Sequence, residues 1–263
     1  MKTPIFWAAG LALAVAACTP SEMPVAPNHL GLTQHTIKAI SGRATVLNQT
    51  VTYSVENLKE AQYLVRVSLG DATLESRLDY TTQDLMLDGG GALLANDQKD
   101  ALLRLSEDLY AYMDQQQGNV SLAESSLVRL LGYWSQAPTN YQYGLRQVKG
   151  EISQGDAQLR NEGITCVKKG RTYTTEYDDS RGSHNDAVTV GSKARAGYGC
   201  MGRCGADCGN WWIPSSWTKD CLDHDQCSNV NYSSGGSSDT NCGDEFDEAA
   251  DDWTFGVWAG CSG

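Results

Sequence analysis

Thr218-Lys-Asp-Cys-Leu-Asp-His-Asp-Gln-Cys227 is the stretch whose reading decides what the C-terminal third of the chain becomes. Thr218 suits a helix N-cap, so the segment predicts a helix that starts there. Residues three apart share a helix face, which sets Cys221, His224 and Cys227 along one stripe. The imidazole then has a cysteine one turn before it and one turn after it. Asp225 lies about 100° round the helix and can point beside the histidine. With both cysteines bridged, such a helix would hold a water-activating base next to a metal-binding carboxylate.

Outward from that helix, cysteines are concentrated in the same region. Cys18 stands apart, and the other eight are Cys166, Cys200, Cys204, Cys208, Cys221, Cys227, Cys242 and Cys261. An even, clustered set in an exported chain reads as four disulfides, with roughly a hundred pairings open. The alternative is a zinc site on Cys204 and Cys208 with Cys221 or Cys227. From Cys204 onward there are eleven acidic residues, Asp207, Asp220, Asp223, Asp225, Asp239, Asp244, Glu245, Asp247, Glu248, Asp251 and Asp252, against the single base Lys219. Most of them read as a solvated face. The same excess also suits calcium, which takes oxygen ligands.

The N-terminus predicts export. Lys2 precedes an apolar run from Ile5 to Ala17, whose helix would span about 20 Å against a bilayer core of about 30 Å. That length reads as a secretory signal, with no later stretch apolar enough to span. Val15-Ala-Ala-Cys18 resembles the lipobox of bacterial lipoproteins, so Cys18 is the expected lipidation site. An ordinary signal peptide with a chance cysteine is the other reading. Residues 1–18 are then the signal, 19–32 a tether, and the protein is expected to be exported and lipid-anchored in the bacterial envelope, at a membrane or cell surface. A net charge of −12 argues against nucleic acid as a partner.

Residues 33–160 predict an α+β region of unreadable function. From Thr33 to Asp88 apolar and polar residues alternate, as in Thr50-Val-Thr-Tyr-Ser-Val55, with Gly70-Asp71 and Asp88-Gly-Gly-Gly91 as punctuation. This predicts a small antiparallel sheet. Leu102, Leu105, Leu109, Tyr112 and Met113 predict an amphipathic helix over Asp97 to Gln116, ended by Gly118. Ser121 with Glu124 predicts a capped helix to Ser135. Asn140 to Gly163 reads as a boundary. Ile164 to Val190 reads as strands, with turns at Lys169-Gly170 and Ser180-Arg-Gly182. Trp211, Trp212 and Trp217 suit either a lipid interface or a core. Trp253, Phe255 and Trp258 read as core, and His29, His35 and His184 as surface or structural histidines.

Cys221-x-x-His224-Asp225-x-Cys227, preceded by the glycine- and cysteine-rich stretch Gly197 to Gly209, resembles the site of secreted phospholipases A2. The resemblance covers about a quarter of the chain. It implies His224 as general base and Asp225 as calcium ligand, with backbone ligands from Gly202, Arg203, Gly205 and Asp207. It also implies a Cys227–Cys242 pair and a histidine-orienting carboxylate just after Cys242. Gly243 stands at that position, so Asp244 takes the role with Asp247 in reserve. Arg203 and Asp207 also replace the aromatic and glycine usual in the calcium loop.

The expected fold is therefore α+β: a small N-terminal sheet plus helices, then a disulfide-rich, mainly helical phospholipase A2-like domain over 161–263. The expected function is calcium-dependent hydrolysis of a phospholipid or other lipid ester, a carboxylic ester hydrolase of phospholipase A2 type. The alternatives are a non-catalytic surface lipoprotein on that scaffold that binds lipid, glycan or protein, and a structural envelope lipoprotein.

Overall fold

The computed structural model describes residues 28–116, 120–137, 140–148, 163–193, 200–205, 215–233 and 239–261. The expected signal, the lipobox with Cys18 and most of the tether lie outside these residues, as do Asp207, Cys208, Trp211 and Trp212. No helix among the described residues is long and apolar enough to cross a membrane.

The alternating stretch builds a meander: β1 (Leu32–Thr36), β2 (Ala39–Val46), β3 (Gln49–Lys59), β4 (Gln62–Leu69), β5 (Ala72–Asp79) and β6 (Asp84–Asp88). Successive strands pair antiparallel through short turns. Between β2 and β3 the turn is Leu47-Asn48, both with positive φ (48° and 64°), which matches the twist of the strands it joins. Gly70 (φ +56°) opens the turn between β4 and β5.

The short pair β7 (Ala92–Leu93) and β8 (Gln142–Tyr143) brackets two helices, α1 (Asn96–Gln115) and α2 (Leu122–Gln136). Ser121 and Glu124 form the expected capping box on α2, with Glu124 N–H on Ser121 Oγ and Ser121 N–H on Glu124 Oε2. After the helices, β9 (Arg146–Val148) returns to pair with β6 and completes an antiparallel sheet of seven strands, β1-β2-β3-β4-β5-β6-β9.

Two expectations about the fold are corrected here. The sheet is large: the meander alone supplies six strands, and β9, from far along the chain, adds a seventh that periodicity cannot reveal. The C-terminal part is also not mainly helical. Its alternating residues form a hairpin, β10 (Thr172–Asp179) with β11 (Gly182–Thr189), turned at Ser180-Arg181. Two helices follow, α3 (Lys219–Asn231) and α4 (Gly243–Phe255).

One apolar core joins α4 to the N-terminal elements, while the hairpin and α3 pack in smaller clusters around Val188, Val190 and Leu222 and around Tyr177 and Cys227. Val51, Tyr53 and Val55 of β3 and Val65 and Val67 of β4 face Leu105 and Leu109 of α1 and Leu127 and Leu131 of α2. Phe246, Ala250 and Phe255 of α4 belong to the same cluster. Arg129 of α2 reinforces the junction. Its Nε donates to the Thr254 carbonyl at 3.0 Å, and its guanidinium also donates to the Trp253 carbonyl and to Ser216 Oγ. A cation on these carbonyls complements the negative end of α4. Burial, with Arg203 nearby, pushes the Arg129 pKa down to about 10.

Three disulfides join described residues: Cys166–Cys261, Cys204–Cys221 and Cys227–Cys242. Cys200 is disulfide-bonded as well. These sulfurs are oxidised, which leaves Cys204, Cys221 and Cys227 unable to act as zinc thiolates.

Candidate functional site

Helix α3 carries the His-Asp pair and is tied down on both sides of it. Cys221, one turn before His224, is bridged to Cys204 in the preceding bend, and Cys227, one turn after, is bridged to Cys242 at the start of α4. Thr218 takes the N-cap position, but without a side-chain capping bond to α3. Its hydroxyl lies 2.9 Å from Cys204 Sγ. Asp252, reaching across from α4, instead accepts the Asp220 N–H at 3.2 Å.

His224 sits at the edge of the core and is not sealed within it. Its side chain keeps 21 % of its surface exposed, and that of Asp225 keeps 24 %. His224 Nδ1 lies 3.9 Å from Asp225 Oδ1, close enough for electrostatic coupling but too long for a hydrogen bond. The imidazole meets the Phe246 ring edge-on, with centroids 5.6 Å apart.

The glycine bend faces this pair. Gly202 donates its N–H to Asp225 Oδ2 at 2.8 Å, and its carbonyl accepts the Thr218 N–H at 3.0 Å. Gly202 holds φ +85°, and a Cβ there would meet Leu222 Cδ1 at 3.2 Å. A glycine is therefore needed for both conformation and space. Burial pushes the Asp225 carboxyl well above the usual carboxylate range, while the Gly202 N–H and the Arg203 guanidinium act to lower it.

The two residues expected to orient the histidine, Asp244 and Asp247, both stand on α4. Asp247 Oδ1 accepts from Tyr141 Oη at 3.4 Å, and Oδ2 accepts from Arg146 Nε at 3.1 Å. Both partners come from the segment that leads into the large sheet. Asp244 is exposed at the first turn of α4 and shares a hydrogen bond with Glu245.

Several acidic residues prove to be structural. Asp223 accepts the Glu176 N–H at 3.1 Å and pairs with Lys219 Nζ at 2.6 Å, and Glu245 accepts the Asp178 N–H at 2.8 Å. These carboxylates cover the edge of β10, where unpaired amides would otherwise seek another strand. Burial raises their pKa values to about 7 and about 8.

Sequence reasoning did not single out a second cluster, formed by Asp220, Asp251 and Asp252. Its trace in the chain shows only once Cys227 and Cys242 are paired. With Cys227 and Cys242 joined, seven residues back along α3 and nine forward along α4 bring these carboxylates to about the same level.

Comparison with known proteins gives residues 162–263 a match to a family described as a domain of unknown function (DUF8213). No curated protein and no solved structure matches the chain. The expected membership of the phospholipase A2 superfamily is overturned. The match falls on a different family, and the described residues form a seven-stranded antiparallel sheet with four α-helices, which is not that mainly helical fold.

Proposed function

We propose that His224 and Asp225 form the centre of a calcium-dependent hydrolase acting on a lipid ester. The carrying observation is the Gly202 N–H on Asp225 Oδ2 at 2.8 Å, which sets a glycine bend against a partly exposed carboxylate beside the histidine. In this reading His224 takes a proton from a water molecule as that water attacks the ester carbonyl, work suited to an imidazole.

Asp225 and the peptide oxygens of the bend are hard donors of the kind calcium prefers. Gly202 is committed to Thr218 and Asp225, so the candidate ligands among the described residues are Asp225 and the carbonyls of Arg203 and Gly205. When bound, the ion would supply positive charge for the developing oxyanion. The Arg203 guanidinium competes for the same carboxylate and lowers the affinity. The lipid class follows from the expected anchor at Cys18, which would hold the site at a membrane surface where lipid esters are concentrated. Export through that anchor, and display in the bacterial envelope, belong to the same proposal.

The test is hydrolysis of zwitterionic phospholipid vesicles by the mature full-length chain, with calcium and with chelator. Turnover is expected only with calcium, and His224→Gln is expected to lower it about 10²- to 10⁴-fold. Turnover that ignores both changes, or none in the wild type, overturns the reading. One observation favours a second reading. Asp247, expected to orient the histidine, is held by Arg146 and Tyr141. A non-catalytic module that binds lipid without cleaving it would show vesicle binding with no turnover.

A further inference from the structure

Asp220 stands in the first turn of α3, and Asp251 and Asp252 stand near the C-terminal end of α4. The antiparallel helices bring them together so that each offers an oxygen within 4.8 Å of those of the other two. Asp251 and Asp252 have no solvent exposure, and Asp220 keeps 8 %. Local bonds account for two oxygens: Asp251 Oδ1 accepts the Asp252 N–H at 2.9 Å, and Asp252 Oδ2 accepts the Asp220 N–H at 3.2 Å. Three others, Asp220 Oδ2, Asp251 Oδ2 and Asp252 Oδ1, are buried with no hydrogen-bond partner.

Buried carboxylates persist when paired, hydrogen-bonded or coordinated to a metal. The charged groups that face Asp220 from the same two helices, Asp223 and Glu248, are acidic too. Burial and mutual repulsion drive Asp220 and Asp252 far above the usual carboxylate range. A cation held by one oxygen of each residue would offset that repulsion and give these buried carboxylates a partner.

We propose that Asp220, Asp251 and Asp252 form a buried calcium site that clamps the first turn of α3 to the last turns of α4. Calcium holds oxygen ligands at about 2.3–2.6 Å, so ligands on opposite sides of the ion lie at most about 5 Å apart. Carboxylate oxygens within 4.8 Å of one another are close enough to share such an ion. Magnesium dehydrates reluctantly and usually retains several waters, which suits a site this buried poorly. An all-carboxylate set also disfavours metals that seek imidazole or thiolate. Cys227–Cys242 joins the opposite ends of the same two helices, so the ion would complete a frame in which His224, one turn after Asp220, is held. The site stands on its own observations and does not depend on hydrolysis at His224.

The test takes the mature full-length chain, strips it with chelator and titrates calcium, following bound calcium and the melting temperature. The wild type is expected to bind calcium and to melt higher with it. Asp251→Asn keeps the shape and removes one charge. It is expected to weaken calcium binding roughly tenfold or more and to abolish the calcium-dependent rise, since affinity follows the charge count of the ligands. Asp252→Asn is expected to do the same, while Asp225→Asn keeps the rise, which separates this site from the one beside His224. In the stripped protein Asp251→Asn removes like-charge repulsion and should melt no lower than the wild type, which excludes misfolding as the cause. A wild type that melts alike with and without calcium, or an Asp251→Asn that binds as tightly as wild type, overturns the site. Stabilisation by acid alone, with no calcium response, would show shared protons in its place and overturns it too.

Discussion

Arg129 and Trp253 bond to each other in both directions: Trp253 Nε1 donates to the Arg129 carbonyl at 3.0 Å, and the Arg129 guanidinium donates to the Trp253 carbonyl. One residue belongs to α2, above the large sheet, and the other to α4, which carries the C-terminal carboxylates. The pair makes the last turn of α4 part of the N-terminal core.

Arg129→Met is expected to lower stability by about 2–4 kcal/mol. The change leaves the Thr254 and Trp253 carbonyls without their buried donor. Urea denaturation followed by tryptophan fluorescence and far-UV circular dichroism checks this. Because the core is shared, both probes should report one transition in the wild type. Two separated transitions in the wild type would contradict the shared core.

Gly202→Ala is expected to displace the bend from Asp225. The new Cβ meets Leu222 at 3.2 Å and the residue must hold φ +85°, a strain of order 1–3 kcal/mol. If the bend serves the proposed chemistry, hydrolysis falls by more than the loss of folded protein explains. Turnover normalised to folded fraction, measured against melting temperature, separates the two effects.

Opening the Cys204–Cys221 bridge with the double change Cys204→Ser and Cys221→Ser frees a loop of 17 residues and is expected to cost about 3 kcal/mol. The bend then loses its tether to α3 one turn before His224. Calcium-dependent turnover should fall further than the same pair of changes at Cys166 and Cys261 would cause, since neither cysteine of that bridge belongs to the bend or to α3.

Glu245 sets a pH dependence. Burial, followed by its hydrogen bond with Asp244, raises its pKa from 4.5 to about 8. A folded pKa above the unfolded one means stability is fully present below the unfolded value and is lost as pH rises through the folded value. Stability in chelator should therefore decline between pH about 5 and 8. Glu245→Gln, which keeps an acceptor for the Asp178 N–H, should flatten that decline. Thermal melts across this range read it out, and an unchanged slope in the variant would refute the assignment to Glu245.

Much of the local structure was legible. Val51, Tyr53 and Val55 alternate as a strand must when one face is buried, and Ser121 with Glu124 announces the start of α2. The turn at Ser180-Arg181 was readable as well, although the resemblance at Cys221 to Cys227 drew the wider expectation toward a mainly helical domain. His224 and Asp225 could be placed together because they ride on one helix. The bonds of Tyr141 and Arg146 to Asp247 were not legible, because these partners lie about a hundred residues earlier.

By itself the sequence determined the elements: the meander, the two amphipathic helices, the hairpin, and the short helix that presents His224 beside Asp225. Short-range forces specify these, since side-chain period, caps and turn residues act over one or two turns of chain. Only the tertiary structure decided that β9 joins β6, that α4 enters the N-terminal core, and that Asp220 meets Asp251 and Asp252. Those meetings depend on which distant apolar faces bury each other and which cysteines pair. Burial is non-directional and roughly proportional to area, so no local pattern in the chain names the partner.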